Sequence, residues 1–491
     1  MSRNAQMVPR RYIWPCLYFI LVGGFLYLLF SHWTYDDPFI TYRYAANLRG
    51  GLGFVYNPGE RVLSTTTPLF TLLLSTGSIL WSDLPRLAIL IGSFSIAAGG
   101  LCLWDIALAL RTEAVGWTAL LLYPLYTLLL SSLSSETPLY LAFCLGAFTS
   151  YYRRKVNLAA LFLALAVLTR PDGILVGIIL VADYLLTRRA PIPWSAVALF
   201  FVITLPWFVF AWAYFGSPIP VTLVAKRSQG SMAISQRFAA GLVGVLRNHA
   251  VHWEYKVEAA LGLLGLAGAF WQARGWLLFL CWPLIYTIAY SILGVSRYHW
   301  YYAPLVPGFV VAVGLGIGLL GQGVMFLARR WEKSFRIQPA TSPIRSSWLT
   351  LILIAPLAIA QAQNVMQLRQ HPDRRYLIYR AAGEWLADHT PSEEAAGALE
   401  VGIIGYYAGR PMVDFAGLIQ PEVTSQLLPE STYQDAALWA VERYHPPYLV
   451  LIDGSFTQLE QGYVAEHCHP VQRFYGKNYH YPNDLVIYSC S

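Results

Sequence analysis

Two adjacent acids, Asp36 and Asp37, follow directly on the first hydrophobic segment, where a charged pair must be hydrated, paired or employed. Glu60 and Glu136 place two more carboxylates in polar stretches between apolar runs. Groups of this kind can take a proton from a hydroxyl as a general base. Asp36 and Asp37 together could also hold a divalent cation. Arg43, Arg170, Lys226, Arg297 and His299 supply positive charge in the same kind of polar stretch, and such cations suit a phosphate or pyrophosphate. Asp172 stands two residues after Arg170, close enough for an internal ion pair.

The elements that must position these residues are membrane helices. With 56% hydrophobic and 12% charged residues, a mean hydropathy of +0.47 and repeated long apolar runs, the chain reads as a polytopic integral membrane protein, mainly α. A net charge of +7 raises the question of an anionic partner. The Lys and Arg residues fall in short clusters between apolar runs, as orientation in a membrane requires, and nucleic-acid binding is not expected. The start, MSRNAQMVPRR before an apolar run, has signal-peptide charge without a small-residue cleavage site and reads as an uncleaved anchor.

Charge placement then yields one topology. Arg3, Arg10 and Arg11 keep the N-terminus cytoplasmic, the first span covers Trp14–His32, and the loop 33–68 lies outside. Within it, Ile40–Leu48 has helical spacing and reads as a short helix along the surface, ended by Gly50, Gly51 and Gly53. Leu69–Trp81 is too short to cross and reads as a re-entrant or surface helix. About eleven spans follow from hydropathy in all. They include Leu87–Leu110, Val115–Ser131, Pro138–Tyr152, Pro193–Phe215, Val257–Gln272, Trp276–Leu293, Trp300–Leu327 and Trp348–Gln363. Asn157–Thr169 and Gly173–Leu186 form a hairpin whose arms, at about 1.5 Å per residue, fall short of a hydrocarbon core of roughly 30 Å. The Arg170–Asp172 turn should therefore face a cavity below the outer surface. All five cations named above fall on the external face, although Lys and Arg ordinarily prefer the other side.

The division expected is 1–363 as the membrane domain and 364–491 as a small extracytoplasmic α/β domain. In the latter, Tyr379–Asp388 reads as an amphipathic helix and Leu399–Ile404, Tyr448–Ile452 and Leu485–Tyr488 as strands. Cys468 and Cys490 could close a loop of about twenty residues, given an oxidising compartment. No His/Cys cluster has zinc spacing, and the glycines after Glu400 fit neither dinucleotide nor phosphate-loop fingerprints.

Several stretches together resemble one family. Asp36-Asp37, then I-T-x-R-Y-A-x-N-L from Ile40, G-x-G-F-V-Y-N-P-G-E from Gly51 and T-x-P-L around Pro68 resemble the first external loop of GT-C glycosyltransferases, in particular arabinofuranosyltransferase-like and ArnT/PMT-like members that use polyprenyl-phosphate sugars. Glu136-Thr137-Pro138-Leu139, Thr169-Arg170-Pro171-Asp172-Gly173 and Gly216-Ser217-Pro218-Ile219-Pro220 through Lys226 are similar to further elements of that family, while Val221 stands where its usual Asn would. The tail stretch from Glu400 to Leu418 resembles a module often attached to these transferases.

The resemblance implies an inverting transferase in a bacterial-type plasma membrane, with Asp36 or Asp37 as the catalytic base. Some of Arg170, Lys226 and Arg297 would hold the donor phosphate, with Arg43, Glu60, Glu136, Asp172 and His299 as further substrate-binding residues. The partners implied are a polyprenyl-phosphate-linked sugar donor, a glycan, lipid or protein acceptor, and membrane lipid. Each residue also has a plainer reading. The loop acids can be solvated, Glu136 can favour a helix N-terminus, and Arg297 with His299 can belong to an interfacial aromatic belt. A transporter or flippase of lipid-linked saccharides, or an inactive scaffold paralogue, are the alternatives; transporters often show a two-fold repeat with broken helices, and no repeat is evident.

Overall fold

The computed structural model describes residues 13–188, 190–334 and 344–491. Arg3, Arg10 and Arg11 of the orientation argument lie outside them, as do residue 189 and residues 335–343. The chain begins with α1 (Ile13–Phe30), after which the loop carries α2 (Pro38–Arg49) and α3 (Pro68–Gly77). The bundle continues through α4 (Leu84–Ala109), α5 (Glu113–Leu122), α6 (Thr127–Leu130), α7 (Thr137–Tyr152), α8 (Val156–Thr169), α9 (Ile174–Asp183) and α10 (Trp194–Phe215). Two helices, α11 (Val221–Ser231) and α12 (Phe238–His249), fill the stretch read as external. The bundle closes with α13 (Trp253–Trp271), α14 (Leu277–Leu293), α15 (Val306–Ser334) and α16 (Ile344–Gln370).

Among the described residues six helical stretches are long and apolar enough to cross a membrane, which makes the chain a multi-pass membrane protein. The expected span at 115–131 is broken: Pro124 cannot donate to a helical ladder, and a 3-10 turn over Tyr123–Leu125 separates α5 from α6. Prolines also set several helix starts, at Pro38 in α2, Pro68 in α3, Pro85 in α4 and Pro138 in α7, where a missing N–H costs nothing.

Past α16 come α17 (Arg375–His389), β1 (Ala396–Ala398), α18 (Ile403–Ala408), β2 (Met412–Asp414), β3 (Tyr448–Ile452), β4 (Cys468–Phe474) and β5 (Leu485–Cys490). The sheet order is β2-β1-β3-β5-β4, with β1 parallel to both neighbours and β5 antiparallel to both of its own. Cys468 and Cys490 face each other at the end of the β4/β5 ladder and are disulfide-bonded. The strand expected at Leu399–Ile404 is not formed. The strand stops at Ala398, and from Ile403 the chain is helical; a short buried apolar run reads alike in either state.

The first loop and this tail share one core. Phe39, Tyr42, Tyr44, Phe54 and Tyr56 pack with Ile378, Tyr379, Val401, Ile403 and Met412, all buried. Backbone-directed hydrogen bonds fix the register. Asn57 gives its amide to the Met412 carbonyl at 3.0 Å and takes the Met412 N–H at 2.9 Å, while Tyr56 donates to the Val401 carbonyl at 2.6 Å. A separate core of the bundle runs through α4, α5, α7, α14 and α15, with Trp276, Trp282 and Phe148 fully buried.

Candidate active site

Asp36 and Asp37 are neighbours in sequence and point to different partners. Pro38 starts α2, so Asp37 sits at its N-terminus, where the helix dipole favours an anion; its side chain makes no cap hydrogen bond and is free for other use. Lys226 takes it, Nζ lying 3.0 Å from Oδ2 and 3.4 Å from Oδ1. Asp36 turns to the tail, where its two oxygens accept the Gly402 N–H at 3.1 Å and the Ile403 N–H at 2.7 Å, at the start of α18. A Cβ on residue 402 would lie 2.0 Å from the Asp36 carbonyl oxygen, so only glycine permits this contact. Burial, then the nearby Glu400, push the Asp36 carboxyl up, against the pull of the Ile403 N–H and Arg375.

Lys226 arrives on α11, whose buried residues Thr222, Ala225, Lys226, Gln229 and Gly230 form one helical face. The main chain of this residue is held as well, its carbonyl accepting the Ser296 N–H at 2.9 Å. Burial works against the ammonium, but the adjacent Asp37 outweighs it and lifts Lys226 above the ordinary lysine value. Rings of Tyr298 and Trp300 lie 5.0 and 5.2 Å from Nζ and wall off the cation.

Arg170 is spent inside the protein. It stands in extended backbone before Pro171, and the tight turn that follows is closed by Gly173, where a Cβ would meet the Ala166 backbone at 2.9 Å. Its guanidinium donates to Asp172 at 3.1 and 3.0 Å, Glu136 at 3.3 Å, Thr137 at 3.3 Å and Tyr290 at 2.8 Å, which uses all five donors. Arg170 is therefore a clamp that fixes Asp172 and Glu136. Burial raises the Glu136 carboxyl above its ordinary range against the pull of Arg170.

Two cavities meet at Asp37. One, of about 380 Å³, is lined by Glu136, Arg170, Asp172, Lys226, Tyr290 and Tyr301 on its polar side and by Ile174, Leu175 and Leu293 on its apolar side. It also holds a run of hydroxyls. Thr41, Thr65 and Thr67 bond one another at 3.0 to 3.4 Å, while Ser64 Oγ and Thr222 Oγ1 are buried without a partner. The other, of about 560 Å³, is lined by Asp36, His299, Asp373, Arg375, Glu400 and Tyr433 among others. Tyr35, Asp37 and Trp300 line both. His299 packs edge-on against Tyr35 and Trp300.

The structure thus brings Asp37, Glu136, Arg170, Asp172, Lys226 and His299 to this junction, with Asp36 at its edge. Three candidates are elsewhere. Arg43 donates to the carbonyls of Tyr56, Gly405 and Arg410 and ties the first loop to the tail. Glu60 is exposed and accepts from the Asn57 amide at 3.1 Å. Arg297 is exposed and lines neither cavity, because its backbone N–H bonds Gln236 and its side chain lies along α12. A divalent cation shared by Asp36 and Asp37 does not fit this donor set, since backbone N–H groups occupy the one and an ammonium the other. Among the described residues no cluster of three or more His, Cys, Asp or Glu is suited to a metal. Sequence reasoning missed Ser64, Thr65, Thr67, Thr222, Arg375 and Glu400. The Ser64–Thr67 run was visible as a hydroxyl tract, whereas Arg375 and Glu400 reach the site only because the tail folds back.

This architecture has the GT-C fold seen in the solved structures of ArnT and AglB. ArnT from Cupriavidus metallidurans bound to undecaprenyl phosphate is similar over 97% of this chain and 98% of that one, at 16% identity and a TM-score of 0.59. The archaeal oligosaccharyltransferase AglB from Archaeoglobus fulgidus, in complex with an inhibitory peptide and a dolichol-phosphate, is similar over 90% of this chain and 70% of that one, at 14% identity and a TM-score of 0.58. A family model described as a domain of unknown function (DUF8728) matches residues 363–488. No curated protein matches the sequence.

Proposed function

We propose that this protein is an inverting glycosyltransferase that moves a sugar from a polyprenyl-phosphate donor to an acceptor hydroxyl, with Asp37 as the base. The observation that carries this reading is that Asp37 stands on the wall common to the two cavities, already paired with Lys226. The donor headgroup would occupy the smaller cavity, whose apolar side at Ile174, Leu175 and Leu293 suits a lipid chain and whose unpartnered Ser64 and Thr222 hydroxyls await a polar ligand. The acceptor would enter the larger cavity. Its hydroxyl proton passes to Asp37, its oxygen bonds the sugar's anomeric carbon, and the bond from that carbon to the phosphate oxygen breaks with its electron pair going to the phosphate. Lys226 stabilises the charge that develops there. Attack from one cavity and departure into the other inverts the anomeric centre.

The GT-C fold of ArnT and AglB, whose structures hold undecaprenyl phosphate and dolichol-phosphate, supports a lipid-phosphate donor. The cavity at the opposite end of the bundle, around Arg111, Gln272 and Arg274, shares no lining residue with these two, which favours a transferase over a transporter open to both sides. The disulfide and the Lys/Arg asymmetry support placing the site and the tail on the extracytoplasmic face of a plasma membrane, with the N-terminus cytoplasmic. The test is transfer in membranes by Asp37→Asn and Asp36→Asn. Asp37→Asn should lose on the order of 10² to 10⁴ in rate at unchanged folding. Asp36→Asn should act chiefly through the tail, with a lowered melting temperature. Full transfer by Asp37→Asn overturns the assignment.

A further inference from the structure

A third cavity, of about 1220 Å³, opens beside the acceptor cavity and plays no part in the reaction described above. It lies where the end of α1, the start of α4 and the α16–α17 junction meet, and it shares Trp33, Thr34, His371 and Asp373 with the acceptor cavity, so the two are continuous. Its charge is one-sided. Arg86, Arg369, Arg374 and Arg380 line it against Asp83 and Asp373. Both acids are already committed: Asp83 pairs with Arg86 at 3.3 Å and caps α4, and Asp373 pairs with Arg375 at 2.7 Å. Arg380 is matched by Glu384 at 2.7 Å. Arg369 and Arg374 are left with no acidic partner among the described residues. Thr34 Oγ1, on the wall between the two cavities, is buried without a hydrogen-bond partner, although Thr34 is only 4% exposed. The other rim is apolar: Leu28, 74% exposed, and Leu29 belong to α1, a span with most of its surface open to lipid.

Two unpaired guanidiniums set against a lipid-facing rim select an anion attached to a lipid, and the opening toward Asp37 says what the cavity delivers. We infer that this vestibule admits the acceptor from the membrane, and that the acceptor is a lipid-anchored glycan whose phosphate or pyrophosphate is bound by Arg369 and Arg374 while its sugar reaches past Thr34 toward Asp37. The inference rests on the transferase reading and narrows its acceptor to one chemical class. A free phosphosugar would use the arginines but not the apolar rim. A neutral glycolipid would use the rim but not the arginines.

The test is equilibrium binding to the full chain in nanodiscs of zwitterionic lipid, with three probes: a farnesyl-diphosphate-linked N-acetylglucosamine, the neutral farnesyl glycoside of the same sugar, and free N-acetylglucosamine 1-phosphate. The diphosphate glycolipid should bind about tenfold or more tighter than either of the others. That advantage should vanish in Arg369→Gln/Arg374→Gln, both on exposed side chains, and in the unaltered protein it should shrink as salt rises from about 0.05 to 0.5 M. Equal binding of the neutral glycoside, equal binding of the free phosphosugar, or an advantage that survives the double substitution or high salt overturns the inference. Because the readout is binding, such a failure falls on the vestibule alone, whereas full turnover by Asp37→Asn falls on the transferase reading.

Discussion

Adjacent aspartates divide the work because consecutive side chains at a helix start leave the backbone in different directions. Asp37 meets an ammonium at the junction of two cavities, and Asp36 meets two backbone N–H groups of another element. The same contrast separates the cations. Arg170 has every donor bound to protein, so it shapes the site, while Lys226 keeps donors for a ligand. Glu136 offers a test at this scale. Burial raises its carboxyl above the ordinary 4.5, so the folded protein holds a proton there that the unfolded chain releases, and stability falls as pH climbs from 4.5 through the raised folded value. Glu136→Gln keeps an acceptor for Arg170 and removes the titration. Melting temperatures between pH 5 and 8 should therefore fall less steeply in Glu136→Gln than in the unaltered protein; parallel curves would refute this.

At the scale of elements, the site is assembled by short pieces rather than by the long spans. α11 brings Lys226, the α8–α9 turn brings Arg170 and Asp172, and α18 presents its first N–H groups to Asp36. The last of these depends on a backbone approach with no room for a side chain. Gly402→Ala should push α18 off Asp36, costing about 1 to 3 kcal/mol as overpacking does and detaching the tail from the first loop. Limited proteolysis of the variant should show faster cleavage between α17 and β2, and unchanged protection would argue that the contact is dispensable. The hydropathy pattern foretold α1, α2, α3, α4 and α10 to within a few residues, because apolar period and proline placement are local facts. It did not foretell α18, since Val401–Ile404 are buried against α17 and the first loop and not in a sheet ladder.

For the molecule as a whole, the loop 33–68 and the tail form one body, with α16 running unbroken from the bundle to Gln370. Ending the chain after Gln370 would uncover Phe39, Tyr42 and Tyr56, each worth roughly 1.5 to 3 kcal/mol of burial, and would leave Arg43 without two of its three carbonyls. The truncated protein should not elute as a single species in detergent; a monodisperse peak would show the tail to be an appendage. The sequence alone determined the membrane class, several of the long apolar helices, the polar loop with its acid pair and the turn at Arg170, because these follow from hydropathy, spacing and local backbone chemistry. Only the tertiary structure decided which aspartate lines both cavities, that Arg43, Glu60 and Arg297 stand apart from them, and that Arg375 and Glu400 from the far end of the chain join them. Those outcomes depend on which groups come within about 3 Å after residues hundreds of positions apart have packed together, and no local pattern encodes that distance.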